Sequence, residues 1–268
     1  MTETAAGTPV ALLAPQWPAP QGVRAAFTLR GGGVSTGRYE SLNLGARVGD
    51  LDAAVAENRR RLRAQLQLPA EPAWIEQVHG VGVLDLDALA PPAAVAAAAA
   101  SATLMPSVPC ADAVIARRAS EVCVVQVADC LPVLFAARDG GAVAAAHAGW
   151  RGLAAGVLEA TVARLGVEPQ QLIAWLGPAI GPSHFEVGEE VRAAFTAHHR
   201  AAAAAFEPNA RGRWQCDLGA LARQRLAAIG IGAVYGGGWC TFADPARFFS
   251  HRRDGQCGRM AALIWLEG

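Results

Sequence analysis

Three short segments of the sequence carry side chains that bind transition metals. They are Gln77-Val-His79-Gly80, Ala128-Asp-Cys130-Leu-Pro132 and His147-Ala-Gly-Trp-Arg151-Gly152. Two imidazoles and one thiolate form the ligand set of an open zinc site, in which three protein ligands leave one coordination position for water or substrate. Taken singly, each residue also has a structural interpretation: His79 as a turn histidine and Cys130 as a small buried apolar residue.

A predicted β-hairpin places Cys130 and His147 side by side. The run Arg138-Asp-Gly-Gly141 is typical of a tight turn between two strands. If Asp139 and Gly140 form the loop, His147 lies opposite Pro132. Because side chains alternate along a strand, Cys130 then shares a face with His147 as its diagonal neighbour, with Cα atoms about 7–8 Å apart. A bulge or an odd loop length would break this register.

The remaining pattern alternates short strands and helices, which indicates an α-β protein. An amphipathic helix is predicted over Leu51–Leu68, capped by Asp50 or Asp52, and a second over Leu153–Leu165, ended by Gly166. The arginine run of the first helix, Arg59-Arg60-Arg61, is predicted to be a solvated face. Strands are predicted over Val122–Val127, Val133–Ala137, Ala142–Ala148, Ile173–Leu176 and Leu263–Leu266, with a strand-like run at 73–78 before His79.

Composition narrows the function classes. The chain has 268 residues, 53% of them hydrophobic, and 23 basic residues balance 23 acidic ones. A net charge of zero gives no electrostatic reason to expect a nucleic acid or an anionic membrane as partner, and no obligate protein partner is evident. The first residues lack the features of a signal peptide. Six scattered cysteines without a CxxC motif indicate a reduced, cytoplasmic protein.

We expect a single domain over residues 1–268. No repeat or linker divides the chain. Residues 88–105 are rich in alanine and contain Pro91-Pro92, which predicts a surface excursion between two strands.

The order of the motifs resembles the YfiH-like family, whose members were labelled polyphenol oxidase or laccase-domain proteins and are now interpreted as purine nucleoside phosphorylases. The resemblance covers nearly the whole chain. Besides the three metal-binding segments, the matching motifs are Thr28–Ser35, Ser41–Gly45, Glu57–Arg59, Gly177–Gly181, Phe185–Gly188, Cys240-Thr241, Phe248–Asp254 and Gly258–Met260. This resemblance implies an α+β fold: a single-domain layered α/β sandwich with mixed sheets, the CNF-toxin/YfiH-like fold.

The same resemblance implies zinc bound by His79, Cys130 and His147, with copper as the less favoured metal. It implies phosphorolysis of adenosine, inosine and 5′-methylthioadenosine, together with adenosine deamination. The sequence departs from the family at Ser183-His184, His251 and Cys257, none of which belongs to the ligand set. These departures leave details of substrate choice open.

Each implied activity requires further polar groups. Phosphorolysis needs a phosphate site, for which Arg151 at a predicted helix start is a candidate, with Arg252 and Arg253 as additional charges. Asn43 is a candidate substrate-binding amide, although an Asx turn explains it equally well. Deamination at C6 of adenine needs a metal-activated water and a proton carrier. The unranked acid-base candidates are Glu186, Asp129 and Asp112.

Other functions remain as alternatives. A Cys/His amide hydrolase that edits peptidoglycan precursors would use Cys130 as nucleophile and His147 as base. A multicopper oxidase needs more histidines than the six present. A non-catalytic binding module would not need an open metal site.

Overall fold

Three β-sheets and six helices form the part of the chain that the computed structural model describes, residues 8–89 and 108–268. The first sheet has four antiparallel strands in the order β1-β2-β13-β5. They are β1 (Leu12–Leu13), β2 (Val23–Thr28), β5 (Val122–Val127) and β13 (Met260–Leu266).

The second sheet has six strands in the order β12-β8-β6-β7-β4-β3 and is mixed. Its outer pairs, β12 with β8 and β3 with β4, are parallel, and its central pairs are antiparallel. The strands are β3 (Val83–Asp85), β4 (Ala113–Ala116), β6 (Leu131–Ala137), β7 (Val143–Ala148), β8 (Leu172–Leu176) and β12 (Val234–Gly236). A small antiparallel sheet contains β9 (Glu186–Val187), β10 (Phe206–Pro208) and β11 (Trp214–Cys216).

Six helices lie in the described residues, and all but the last cover the outer faces of the two larger sheets. They are α1 (Asp52–Leu66), α2 (Trp150–Ala155), α3 (Val157–Leu165), α4 (Glu189–Thr196), α5 (Leu218–Ala228) and α6 (His251–Asp254). Short 3-10 helices lie at Gly37–Tyr39, Leu86–Ala88, Pro169–Gln171, Pro182–His184 and Arg200–Ala205. Within the described ranges, none of the helices has the length and apolar character needed to cross a membrane.

Packing orders these elements into layers. Leu62 of α1 packs with Val124 and Leu263 on one face of the four-stranded sheet. The other face of that sheet packs on the six-stranded sheet, where Phe27 meets Trp175. The far face of the six-stranded sheet is covered by α2 to α5. The predicted layered α/β architecture with mixed sheets is thus confirmed.

The hairpin of β6 and β7 has the predicted register. Pro132 pairs with His147, and the strands are joined through a turn in which Gly140 has a φ of +76°. Both strands are buried on both faces, which explains why their sequences are continuously apolar. Alternation directs His147 to the face between the two large sheets.

Several local predictions need correction. The helix predicted over Leu51–Leu68 runs from Asp52 to Leu66, and its N-cap is Leu51, without a side-chain cap. Asp50 instead accepts hydrogen bonds from Ser35 and Asn43. The helix predicted over Leu153–Leu165 is two helices, because Gly156 adopts a φ of +102° between them.

Two further segments differ from the sequence-based expectation. The run at 73–78 forms no strand; it makes a single β-bridge between Glu76 and Cys110. Of the excursion predicted over 88–105, residues 90–105 lie outside the described part of the chain.

Candidate metal centre

The structure brings the side chains of His79, Cys130 and His147 together. Their potential ligand atoms all lie within 4.8 Å of one another. The Cys130 Sγ atom is 3.6 Å from Nε2 of His79, and the two imidazole rings are 4.7 Å apart at an angle of 75°. In a tetrahedral zinc site with Zn–N near 2.05 Å and Zn–S near 2.3 Å, a nitrogen and a sulfur ligand are about 3.6 Å apart. The donor types and their spacing therefore fit zinc.

Cys130 lies directly before β6 and directly after a strained residue. Asp129 has a φ of +90°, which is uncommon for a residue other than glycine. Its carboxylate accepts hydrogen bonds from the Thr241 hydroxyl at 2.6 Å and from the Arg252 amide at 2.7 Å. These contacts hold the turn that presents the Cys130 thiol to the two histidines.

Asp112 supports both histidines through one buried carboxylate. Its Oδ1 accepts a hydrogen bond from the His79 amide at 2.9 Å and lies 2.8 Å from Nδ1 of His147. Its Oδ2 accepts from the Gly80 amide at 2.6 Å and the Val78 amide at 3.3 Å. Because the carboxylate engages Nδ1 of His147, that ring presents Nε2 to an ion, and the same group fixes the loop that carries His79.

Two glycines allow the loop of His79 to approach the helix that follows β7. A Cβ atom at Gly149 would lie 2.7 Å from Cδ2 of His79 and 3.0 Å from Sγ of Cys130. A Cβ atom at Gly152 would lie 2.8 Å from the carbonyl oxygen of Gly80. Gly149 is therefore required by close packing against the side chains of His79 and Cys130, and Gly152 by close packing against the backbone of the His79 loop.

The electrostatics of the cluster favour a thiolate. Burial opposes ionisation of Cys130, but the positive charge of His147 and hydrogen bonds from both histidines lower its pKa to about 6. Burial likewise disfavours a charged His147, but the thiolate and Asp112 raise its pKa to about 9. Asp112 is itself held below its usual pKa by His147 and the Gly80 amide, against the effect of burial. A thiolate is the form of cysteine that binds metals.

A cavity of about 580 Å³ opens beside the three side chains. This volume is in the range of small-molecule sites. Arg151 and Arg252, the candidate phosphate-binding residues, line it. Arg151 lies over the ring of Trp150 at 4.4 Å, and Arg252 lies 5.2 Å from the ring of Phe185 while donating to the carbonyl of Glu186. Arg253, in contrast, donates to backbone carbonyls of its own loop.

Asn43 does not line this cavity. It is fully buried, and its side chain makes the Asx-type contact to the Gly45 amide at 2.9 Å and a hydrogen bond to Asp50. The second interpretation of Asn43, as a turn residue, is the one that the structure supports. Among the acid-base candidates, Asp129 lines the cavity, while Glu186 binds Asn209 and Arg211.

Sequence reasoning overlooked Arg59 and Arg259, which also line the cavity. Arg59 was assigned to a solvated arginine face, and its neighbour Arg60 does point into solvent, with 68% of its side chain exposed. The helical spacing of Arg59 indicates that it lies on the buried side of α1. Arg59 lies four residues after Val55 and three before Leu62, both of which are buried, so it belongs to the inward face of α1.

Comparison with known proteins adds to this description. Over residues 24–267 the sequence matches a protein family described as multi-copper polyphenol oxidoreductase laccase. A curated protein of Pseudomonas aeruginosa named as a purine nucleoside phosphorylase is 54% identical, covering 96% of this chain and 99% of the relative. The purine nucleoside phosphorylase YfiH of Escherichia coli K12 is 51% identical, covering 95% of this chain and 98% of the relative.

Solved structures share the fold. A Neisseria meningitidis protein of the family DUF152 superposes with a TM-score of 0.85 at 48% identity, covering 96% of this chain and 99% of that one. YlmD from Geobacillus stearothermophilus superposes with a TM-score of 0.82 at 32% identity, covering 100% of this chain and 98% of that one. These similarities extend over the layers that hold His79, Cys130 and His147.

Proposed function

Since the chain belongs to the YfiH family, which is also described as laccase-like and includes curated purine nucleoside phosphorylases, we propose that it is a zinc-dependent purine nucleoside phosphorylase. Its substrates are adenosine, inosine and 5′-methylthioadenosine, and it also deaminates adenosine. The observation that carries the proposal is the convergence of His79, Cys130 and His147 at one wall of a cavity large enough for a nucleoside.

The metal is proposed from the donor set. His79, Cys130 and His147 would hold the ion, and when bound it would supply Lewis-acid activation of an oxygen nucleophile. Asp112 keeps His147 in the tautomer that presents Nε2 to the ion. Multicopper chemistry needs several copper ions. In residues 8–89 and 108–268, these three side chains form the single group of three or more metal-binding residues, which favours one zinc over a copper cluster.

The reaction requires a phosphate beside the ribose. In phosphorolysis the bond between C1′ and N9 breaks, a phosphate oxygen bonds to C1′, and the purine leaves with the electron pair and takes up a proton. We assign phosphate binding to Arg151 and Arg252, whose guanidinium groups offer paired donors to oxyanions. The rings of Trp150 and Phe185 supply apolar wall for the base.

Deamination would use the same cavity with water in place of phosphate. The oxygen of water bonds to C6 of adenine, and ammonia leaves after receiving a proton. Asp129 is the carboxylate candidate that lines the cavity beside Cys130. We propose that it serves as the proton carrier for this reaction.

A reducing compartment suits this chemistry. All six cysteines are free in the structure, and Cys130 must stay reduced to act as a ligand. We therefore propose a cytoplasmic location.

The experiment is incubation of the zinc-loaded protein with adenosine, with and without phosphate, followed by chromatography of the bases. Adenine that appears only with phosphate reports phosphorolysis, and inosine or hypoxanthine reports deamination. Chelation of the metal and the variant Cys130→Ser should abolish both activities, while Cys110→Ser, at an exposed cysteine, should retain them. Adenosine that stays intact under every condition would refute the proposal.

A second candidate, the Cys/His amide hydrolase acting on peptidoglycan precursors, is favoured by one observation. Against the effect of burial on both groups, the charge of His147 lowers the pKa of Cys130 to about 6, and the thiolate and Asp112 raise the pKa of His147 to about 9, which favours a thiolate and an imidazolium at neutral pH without a metal. For this candidate, the metal-free protein should hydrolyse the amide and should be inactivated by an electrophilic substrate analogue attached to Cys130. Full activity that requires one zinc per chain would exclude it.

A further inference from the structure

The cavity beside the metal-binding side chains is lined by five arginines: Arg47, Arg59, Arg151, Arg252 and Arg259. Arg47 pairs with Glu76. In the part of the chain that the structure describes, none of the other four has a carboxylate within 4.0 Å of its guanidinium group. Two residues with carboxylates, Glu76 and Asp129, line the same cavity. The cavity therefore carries an excess of positive charge, although the whole chain is neutral.

Arg59 is held rigidly in the cavity wall. Its guanidinium lies 3.8 Å from the ring of Trp74, and its Nε and Nη2 donate to the carbonyl of Leu44 at 3.1 and 2.8 Å. Burial lowers its pKa to about 10, with the charge of Glu71 acting in the opposite direction. Arg59 is thus a partly desolvated cation at neutral pH, and such a charge gains most from an anionic ligand.

Arg259 is anchored to the same loop. Its amide donates to the Asn43 side chain at 2.9 Å, and its Nη1 donates to the carbonyl oxygens of Cys257 and Gly258. A Cβ atom at Gly45 would lie 2.7 Å from Cγ of Arg259, which shows how closely the loop packs on this side chain. Loop 43–45 therefore contacts both Arg59 and Arg259, and both line the cavity.

These two side chains, the Arg59–Arg259 pair, retain unused donors. The hydrogen bonds of Arg59 within the described residues involve Nε and Nη2, and those of Arg259 involve Nη1. Nη1 of Arg59 and both Nε and Nη2 of Arg259 have no acceptor there. Two guanidinium groups with free N–H donors match the three oxygens of a phosphate monoester better than they match a single carboxylate.

The Arg59–Arg259 pair comes from other elements than the arginines beside the metal-binding side chains. Arg59 comes from α1, which covers the outer face of the four-stranded sheet. Arg151 comes from α2, on the opposite side of the six-stranded sheet. One oxyanion at Arg151 would therefore leave the charge of the Arg59–Arg259 pair without a partner.

We propose that the Arg59–Arg259 pair is a second oxyanion subsite, which takes the phosphate of a phosphomonoester ligand such as a nucleoside 5′-monophosphate. That the rest of the ligand is a nucleoside rests on the proposed function, since this nucleoside part would occupy the cavity beside the metal-binding side chains. The ligand class then includes nucleotides as well as nucleosides. Inorganic phosphate has the same oxyanion chemistry. An experiment must therefore distinguish a phosphomonoester from free phosphate as the occupant of this subsite.

The test is calorimetric titration of the zinc-loaded full chain with adenosine, adenosine 5′-monophosphate and inorganic phosphate. The monophosphate should bind at least about tenfold more tightly than adenosine, because each arginine adds charge-assisted hydrogen bonds. Arg59→Gln and Arg259→Gln should remove this advantage while changing adenosine affinity less than about threefold. The matched control is Arg60→Gln, on the same helix but exposed to solvent, which should keep the advantage.

The stoichiometry of inorganic phosphate binding distinguishes free phosphate from a phosphomonoester as the occupant of the subsite. If free phosphate is the natural occupant, the wild-type protein should bind two phosphates and the Arg59→Gln protein one. If the monophosphate binds no more tightly than adenosine and the phosphate stoichiometry is one, the proposal is wrong. Phosphate binding that depends on Arg59 in a protein that leaves adenosine unbound and unconverted would refute the proposed function and retain the subsite.

If the glutamine variants fail to fold, chemical modification of arginines in the wild-type protein tests the same proposal. Phenylglyoxal modification, mapped by mass spectrometry, should be slowed at Arg59 and Arg259 by adenosine 5′-monophosphate. The Arg59→Lys variant, which keeps the charge but loses the planar donor pair, should retain part of the affinity. Protection confined to Arg151 and Arg252 would overturn the proposal.

Discussion

Replacing Asp112 by asparagine is the most direct test of how the metal centre is positioned. The carboxylate of Asp112 is fully buried and faces donors on both oxygens. Oδ1 serves His147 and the His79 amide, and Oδ2 serves the amides of Gly80 and Val78. An asparagine keeps one oxygen and turns the other acceptor into a donor, so one of these two sets of donors must lose its partner.

The expected loss of zinc affinity can be derived for each of the two orientations of the introduced side-chain amide in the Asp112→Asn variant. If Nδ2 faces His147, the ring is driven to the tautomer in which Nε2 carries the proton and cannot bind a metal. If Nδ2 faces Gly80, the loop that carries His79 loses its support. Loss of such a supporting contact costs about 10–100-fold in metal affinity. Unpaired buried donors should also reduce the free energy of unfolding of the metal-free protein by about 1–3 kcal/mol.

Zinc affinity is measured by competition with a chromophoric chelator, and the ligand geometry is followed by the visible spectrum of the cobalt-substituted protein. We expect Asp112→Asn to weaken zinc binding and to change the cobalt spectrum. Asp50→Asn is the control, because it alters a similar hydrogen-bonded carboxylate, bound to Ser35 and Asn43, away from the metal centre. Wild-type affinity and spectrum in Asp112→Asn, with only a loss of stability, would show that Asp112 is merely structural.

Three further predictions concern the same cavity. Gly149→Ala should lower the zinc content after dialysis at least about tenfold, measured by elemental analysis, because its Cβ would lie 2.7 Å from His79 and 3.0 Å from Cys130. In the metal-free protein, alkylation of Cys130 by iodoacetamide should be half-maximal near pH 6, since the positive charge of His147 outweighs burial; His147→Ala should move that midpoint upward. A midpoint unchanged by that substitution would contradict the ion pair. Arg151→Ala should raise the KM for phosphate about tenfold and leave phosphate-independent deamination unchanged, measured by chromatography of the bases; equal losses in both reactions would remove Arg151 from phosphate binding.

The sequence predicts the proximity of Cys130 and His147, because it depends on a hairpin that is local in the chain. Cys130 and His147 lie on two strands joined by a tight turn, so turn chemistry and side-chain alternation are enough to make them neighbours. Amphipathic spacing applies in the same way to the helices that follow β7. Leu153, Val157 and Leu165 are buried even though Gly156 breaks the helix between them, because the break preserves which side faces the sheet.

The placement of His79 could not be predicted in this way. It depends on hydrogen bonds to Asp112, which lies 33 residues further along the chain, and on a backbone φ of +61° at His79 itself. Neither feature has a periodic signature in the sequence. Asp112 was recognised as a chemically interesting carboxylate, but its role as support for two histidines depends on tertiary contacts.

The net charge of the whole chain does not reveal the positive charge of the cavity. Acidic side chains are largely used in surface ion pairs, as in Glu57 with Arg60 and Arg61, and these pairs cancel in the total. Within residues 8–89 and 108–268, the cavity keeps arginines that form no ion pair with a carboxylate, Arg59 among them. A neutral chain can therefore concentrate positive charge where a small anion binds, without presenting the extended basic surface that a nucleic acid requires. For this reason the zero net charge of the chain gives no information about a phosphate site.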